Sequence, residues 1–195
     1  PLSVSSNSVF FLDTLANVNF SDFNDFSSII NTKVKGATIS TSTRLGYRWL
    51  NKDRSWMFGV NAGYDSRPMA TGGTDNGVAV INSQTVFFQQ VAASLEAVSN
   101  TWNFNAYALV PVGSLEEYLN SAYEGGILNT YGLDIGYSIT PDLRASAGYY
   151  YQYLSEENVN GSGVRGRLAY SPINGLTVGA NLSYDNEFET RVSAD

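Results

Sequence analysis

The sequence predicts an all-β fold, an antiparallel up-and-down transmembrane β-barrel with about ten strands visible. Three observations predict it. Apolar and polar residues alternate with a period of two along most of the chain, as they do in strands with two unlike faces. Each alternating segment is near the length of about 9 to 11 residues that a tilted membrane strand needs. Short and long connections alternate along the chain, which is typical of outer-membrane barrels.

The composition of the chain argues against several functional classes, among them nucleic-acid-binding proteins and enzymes. The 195 residues fit one barrel domain, 1–195, and the net charge of −7 argues against nucleic acid as a partner. The chain has no cysteine and no histidine, so thiolate chemistry, the usual general base and the commonest metal ligand are missing. We therefore predict no enzyme, no catalytic residue, no metal and no cofactor. No run of about 18 apolar residues indicates a transmembrane helix.

The predicted strands differ in how clear their patterns are. The first, "VFFLDTLANVNF", is the weakest, because Asp13 and Thr14 interrupt both faces. The second, Ala37 to Leu50, alternates almost without a break. The segment from Phe87 to Val98 is less regular, and "TRVSAD" reads as a strand cut off midway. The remaining predicted strands are 56–65, 102–112, 131–139, 143–153, 164–170 and 176–185.

The connections carry independent information. Four are short and polar, "LNKDRS", "SNT", "TPD" and "SPING", the last with Pro172 and Asn174-Gly175 as turn residues. Four are long: 21–36, 67–85, 113–129 and 154–163. Tight periplasmic turns and longer external loops produce this alternation in outer-membrane barrels, whereas a Greek-key sandwich gives no reason for it.

The polar parity of the strands predicts a lumen. It carries small polar residues with a few charges and almost no lysine, unlike a solvated sheet face. An arginine facing lipid at mid-depth costs roughly 2–4 kcal/mol, so these charges are expected to face inward and pair across the lumen. The predicted lumen-facing residues are Arg44, Arg48, Asn61, Asp65, Glu96, Asp134, Arg144, Arg165, Arg167 and Asp185.

The apolar parity is therefore expected to face lipid, with aromatic rings near the strand ends. Such rings form girdles at the two membrane interfaces of outer-membrane barrels. The alternative is a soluble barrel in which the same rings fill the core. The predicted girdle residues are Tyr47, Trp49, Trp56, Tyr64, Trp102, Tyr149, Tyr151, Tyr153, Tyr170 and Tyr184.

The segment from Thr43 to Arg67, "TRLGYRWLNKDRSWMFGVNAGYDSR", resembles the barrel domain of inverse autotransporters, the class of intimin and invasin. The segments "NFNAYALVPVG", "YGLDIGYSI", "LRASAGYYYQY" and "VRGRLAYSPINGLTVGANLSYDNE" resemble its later strands. The resemblance implies a twelve-stranded barrel whose C-terminal linker is threaded through the pore to an external adhesive passenger. Because the sequence stops at Asp195, in about the tenth strand, we expect a barrel truncated at its C-terminus.

These observations leave three functional hypotheses. The first is a translocator or anchor that holds and exports a cell-surface adhesive passenger. The second is a small porin-like channel without a passenger, and the third is a soluble lipocalin-like binding barrel with its faces reversed. The lumen charges suit a structural network, a pore lining or a contact with a threaded linker. The expected partners are outer-membrane lipid, the barrel-assembly machinery and the chain's own linker, in a Gram-negative-type bacterium.

Overall fold

The computed structural model is an all-β protein. It describes residues 1–20, 37–70, 74–75, 78–79, 81–82, 84–118, 121, 124–154, 159–173, 175–185 and 189–194. No helix in these ranges is long and apolar enough to cross a membrane. The strands are β1 (Ser3–Val4), β2 (Ser8–Phe20), β3 (Ala37–Leu50), β4 (Trp56–Ala70), β5 (Thr74–Asp75), β6 (Val78–Ala79), β7 (Thr85–Ser99), β8 (Trp102–Val112), β9 (Glu116–Tyr118), β10 (Glu124–Gly126), β11 (Asn129–Ser138), β12 (Leu143–Leu154), β13 (Val159–Ile173), β14 (Leu176–Asp185) and β15 (Glu189–Ala194).

One antiparallel sheet contains all the main strands. Their order is β1-β2-β3-β4-β7-β8-β11-β12-β13-β14-β15, so each main strand pairs with the next one along the chain. The hairpins β5–β6 and β9–β10 lie within two of the long connections. Apart from the two-residue β1, this is the predicted up-and-down meander of ten strands.

The strand boundaries agree best where the alternation is cleanest. The bounds of β3, β8 and β14 are those predicted. The predicted connection 154–163 was too long, because Val159–Gly163 continue the ladder opposite Tyr150–Leu154. Locally, "VNGSG" reads as a loop, but the neighbouring strand supplies its hydrogen bonds. The connection 67–85 is also shorter than predicted at both ends, and the predicted connection 21–36 lies outside the described residues.

The hairpin between β13 and β14 has the predicted turn chemistry at its glycine. Ile173 pairs with Leu176, and Gly175 has a φ of +89°, which suits a two-residue hairpin turn. Asn174, the other predicted turn residue, lies outside the described residues. The ladder shifts register between Tyr170 and Ile173, on either side of Pro172, which has no backbone N–H to donate.

The two faces of the sheet differ in exposure. We name the parity that contains Leu45 and Leu95 the apolar face, and the parity that contains Arg44 and Glu96 the polar face. Leu95 is 60% exposed, and more than thirty large hydrophobic side chains are exposed like it. A soluble barrel would bury this face. The buried hydrophobic residues of the described chain are only Val86, Phe88 and Ala92, which does not support the lipocalin-like alternative.

Candidate functional site

An ion pair on the polar face joins the adjacent strands β3 and β4. The guanidinium of Arg44 donates to both carboxylate oxygens of Asp65, at 2.6 and 2.8 Å. The side-chain amide of Gln90, on β7, donates to the same carboxylate at 2.9 Å. A bidentate, partly buried pair of this kind fixes the relative position of the strands that carry it.

A second ion pair crosses a whole strand. Arg48 on β3 and Glu96 on β7 both lie opposite Gly59 of β4, and the Arg48 Nε donates to Glu96 Oε1 at 2.5 Å. Strands that are two apart are separated by about 9.5 Å, so the two long side chains must meet above the strand between them. A Cβ at Gly59 would overlap the Glu96 carboxylate. The glycine therefore makes the contact possible.

The third ion pair repeats this arrangement on the other half of the sheet. Asp134 on β11 and Arg165 on β13 flank Gly148 of β12. The Nε and Nη2 atoms of Arg165 donate to the two Asp134 oxygens at 2.8 and 2.5 Å, and Asn105 lies 3.5 Å from the same carboxylate. A Cβ at Gly148 would overlap this carboxylate as well. We call these two arrangements the glycine-bridged rows.

Aromatic side chains use glycines on the polar face in the same way. The hydroxyl of Tyr150 reaches over Gly163 and donates to Asp185, which is only 4% exposed, at 2.5 Å. The ring of Tyr107 lies over Gly132, where an added Cβ would overlap it. These tyrosines were not predicted from the sequence, because aromatic residues were expected on the apolar parity. The sequence feature that indicates such a contact is an aromatic residue on the polar parity of a glycine-rich strand.

Two of the arginines also contact rings on the polar face. The guanidinium of Arg48 lies 4.4 Å from the centre of the Phe11 ring, and that of Arg165 lies 5.0 Å from the centre of the Tyr107 ring. These are cation–π distances. The arginines of both glycine-bridged rows are therefore held by a carboxylate and a ring together.

The remaining predicted lumen residues also lie on the polar face. Arg167 donates to Asn181 at 3.0 Å, and Asn61 lies half-buried opposite Gly46. Arg144 is exposed, and within the described ranges it makes no hydrogen bond or ion pair. The structure thus brings six of the nine predicted charged residues together as three ion pairs. Their role in lining a lumen stays a prediction.

Two cavities run along the polar face. One, of about 610 Å³, contains Asp134, Arg165 and Arg167 in its lining. The other, of about 420 Å³, lies at the end of the sheet where the short turns are and includes Arg144. They are contiguous, because both are lined by Asn103, Gly136, Ser146 and Arg167.

Near the long connections, the polar face carries apolar side chains in place of polar ones. Val86 and Phe88 are on the same parity as Gln90 and Glu96, and they pack with Ile127 as the buried hydrophobic cluster of the described chain. This cluster was not predicted from the sequence. The alternation of β7 continues through it, but large apolar side chains occupy both parities there.

The predicted aromatic girdle residues all lie on the apolar face. At the short-turn end, neighbouring ring centres are 4.8 to 6.4 Å apart along a continuous chain. The rings of this chain, in order, are Tyr47, Trp49, Phe58, Trp56, Phe104, Trp102 and Tyr137. A second stack, at the opposite end, contains Tyr131, Tyr153 and Tyr151. Four rings of these stacks are not among the predicted girdle residues: Phe58, Phe104, Tyr131 and Tyr137.

The other four predicted girdle residues are exposed on the same face but belong to neither stack. They are Tyr64, Tyr149, Tyr170 and Tyr184.

No group of three or more acidic residues in the described part of the chain is placed to hold a metal ion.

Comparison with known proteins supports the fold. The structure is similar to the Pseudomonas putida toluene transporter TodX, with a TM-score of 0.50 and 11% identity over 96% of this chain and 68% of TodX. The TodX deltaS2S3 mutant monoaromatic hydrocarbon channel gives a TM-score of 0.42 and 11% identity, over 96% of this chain and 64% of that one. No protein-family model matches the sequence, and no curated protein matches it.

At 11% identity the likeness to TodX concerns the fold alone. It confirms the predicted fold class, an up-and-down β-barrel of the outer-membrane type, and the outer-membrane location predicted from the sequence is consistent with this fold. The resemblance to inverse autotransporters gains no support from these comparisons and stays a prediction.

Proposed function

We propose that this chain forms an outer-membrane channel for small polar solutes. The observation that carries the proposal is the pair of contiguous cavities on the polar face, about 610 and 420 Å³ in volume, opposite an exposed apolar face. A sheet with these faces suits lipid outside and water inside, because the strands between its two edges pair their backbone groups with a neighbour on each side, and closure of the edges would complete this pairing. The polar face then lines the lumen.

The class of solute follows from this chain's own residues. TodX is described as a toluene transporter. Here the larger cavity is lined by Glu96, Asp134, Arg165 and Arg167 together with asparagines and serines. Transfer of an uncharged hydrocarbon along such a wall would displace water from charged groups without replacing their hydrogen bonds. The lining therefore favours hydrated polar solutes.

Conductance in planar lipid bilayers tests the proposal. The complete gene product, purified and reconstituted, should give stepwise channel openings, provided that the same preparation shows the gel shift on heating that marks a folded barrel. A heat-shifting protein without conductance would contradict the proposal.

A matched pair of variants sharpens this test. Ser146 lines both cavities, whereas the next residue, Ala147, lies on the apolar face. Ser146→Trp should reduce the unit conductance, because the indole occupies the lumen, and Ala147→Trp should leave it unchanged. Equal effects of the two variants would show that the polar face does not line the conducting path.

The second candidate is the translocator or anchor for an adhesive passenger. The ordered series of strand motifs from Thr43 to Glu187 favours it, and a polar lumen also accommodates an extended chain. A C-terminal epitope tag on the complete gene product separates the two functions. Removal of the tag by protease added to intact cells supports translocation, whereas a protected tag on a heat-shifting barrel supports the channel.

A further inference from the structure

We infer that the short-turn end of the polar face binds an oxyanion, a carboxylate or phosphate group carried by a permeating solute. This inference rests on the proposed channel function and adds a site and a ligand class to it. The site is the cavity of about 420 Å³, which we name the arginine cavity.

The arginine cavity contains two cationic side chains. Arg144 lies opposite Ser138 and Ala169, and Arg167 lies opposite Ser146 and Asn181. Neither residue opposite Arg144 is a carboxylate, and Arg144 makes no hydrogen bond or ion pair with the described part of the chain, whereas Arg167 donates to Asn181. In the glycine-bridged rows the residue across the glycine is an acid, so the arginines there are already neutralised. The lining of the arginine cavity contains one acid, Asp142, in the turn before β12.

The other side chains of the cavity are neutral hydrogen-bonding groups. Ser171 and Thr177 lie 2.9 Å apart, oxygen to oxygen, and Asn103, Ser138 and Ser146 also line the cavity. Hydroxyl and amide groups can donate to an anion that the guanidinium groups attract. A guanidinium presents a planar fork of N–H groups that fits carboxylate and phosphate oxygens.

The charges of the sheet place this site at one mouth of the lumen. Asp65 and Asp185 lie towards the long connections, whereas Arg144 lies one residue from the start of β12, beside a short turn. In outer-membrane barrels the short turns are periplasmic. Among the described residues at this end, five basic side chains (Arg48, Lys52, Arg54, Arg144 and Arg167) outnumber three acidic ones (Asp53, Glu96 and Asp142). The periplasmic mouth therefore carries a net positive charge, and anions should accumulate there.

The experiment measures ion preference and phosphate binding in the same reconstituted channel. In a KCl gradient the reversal potential should show a preference for chloride. Inorganic phosphate added on the short-turn side should reduce the chloride current with a saturable dependence on concentration. In Arg144→Gln the half-blocking phosphate concentration should rise about tenfold, because a charge-assisted contact is lost.

Two further variants control for charge and folding. Arg144→Lys should retain most of the chloride preference, since the charge remains. Arg54→Gln removes a charge from the same rim, but Arg54 lies in the β3–β4 turn and donates to Ser6 and Asn7, outside the cavity. It should leave the phosphate block unchanged.

The outcomes separate the inference from the proposed function. A folded protein without any conductance contradicts the channel itself. A conducting channel that lacks chloride preference and phosphate block, or whose block is the same in Arg144→Gln and wild type, contradicts the oxyanion site and leaves the channel standing. A block that Arg54→Gln weakens as much as Arg144→Gln would also overturn the site, because the effect would be that of rim charge alone.

Discussion

The glycine-bridged rows and the arginine cavity use the same residue type on the same face with different results. Arg48 and Arg165 each cross a glycine to a carboxylate and also lie against a ring. Arg144 faces serine and alanine, and it is exposed on the wall of a cavity. The residues that face an arginine across the neighbouring strands decide whether its charge links the strands in an ion pair or stays available to a solute.

This difference makes the intervening glycine the discriminating residue. In a row such as Asp134–Gly148–Arg165, the absent side chain provides the space for the ion pair. In the row Asn103–Gly136–Ser146, neither neighbouring side chain lies over the glycine. A Cβ at Gly136 would meet neighbours no closer than 3.4 Å. A glycine such as Gly148 is therefore required for packing, whereas one such as Gly136 is not.

The largest expected effect comes from filling a required glycine. Gly148→Ala should lower the free energy of unfolding by about 1–3 kcal/mol, because the new Cβ overlaps the Asp134 carboxylate and displaces the ion pair. The measurement is urea unfolding in lipid vesicles, followed by tryptophan fluorescence.

Gly136→Ala is the matched control for this variant, since Gly136 lies on the same face of the neighbouring strand. It should change the unfolding free energy by less than about 0.5 kcal/mol, or slightly stabilise the barrel. Equal destabilisation by the two variants would show that the glycine-bridged contacts do not determine packing.

A smaller effect is expected from the ion pair itself. A double-mutant cycle with Arg48→Met and Glu96→Gln should give a coupling energy of about 0.5–1 kcal/mol, because the pair is partly exposed and screened. Unfolding of the wild type, the two single variants and the double variant supplies the four values. A coupling energy indistinguishable from zero would mean that the bridge contributes no stability.

A carboxylate introduced opposite Arg144 should form an ion pair with it and neutralise its charge in the arginine cavity. Ala169 lies directly opposite Arg144 on the polar face. Ala169→Glu should raise the unfolding free energy by roughly 0.3 kcal/mol through a cross-strand ion pair, and it should weaken the chloride preference of the channel. Ala169→Gln is the isosteric control without the charge. An unchanged chloride preference in Ala169→Glu would show that Arg144 does not set it.

The smallest effect is expected at Arg144, which makes no hydrogen bond or ion pair with the described residues. Arg144→Gln should change the unfolding free energy by less than about 0.5 kcal/mol, as for surface positions without a structural role. Urea unfolding under the conditions used for Gly148→Ala supplies the comparison. Destabilisation beyond 1 kcal/mol, about the upper value for an exposed ion pair, would mean that Arg144 is part of the structural network.

Strand positions could be predicted from the sequence because alternation is a local property. The bounds of β3 follow from its own residues, and parity alone placed Arg44, Arg48 and Asp65 on one face. The start of β13 could not be found in this way, since residues 159–163 owe their strand structure to pairing with β12.

The partners of the charged residues also could not be predicted. Parity assigns Arg48 and Glu96 to the same face, but their contact depends on two successive registers, β3 with β4 and β4 with β7. These registers are properties of the assembled sheet. For the same reason, the tyrosines that lie over glycines were missed, because neither residue alone signals the contact.

The central claim is that the polar face meets water and the apolar face meets lipid. Since the 195 residues contain no cysteine, single cysteines can be placed in the barrel without competing thiols within it. Ala93, Ser94 and Leu95 are consecutive residues of β7, and the middle one lies on the polar face. In reconstituted vesicles, a water-soluble maleimide should modify Ser94→Cys and leave Ala93→Cys and Leu95→Cys unmodified. Modification of the two outer positions in preference to Ser94→Cys would reverse the faces and contradict the account.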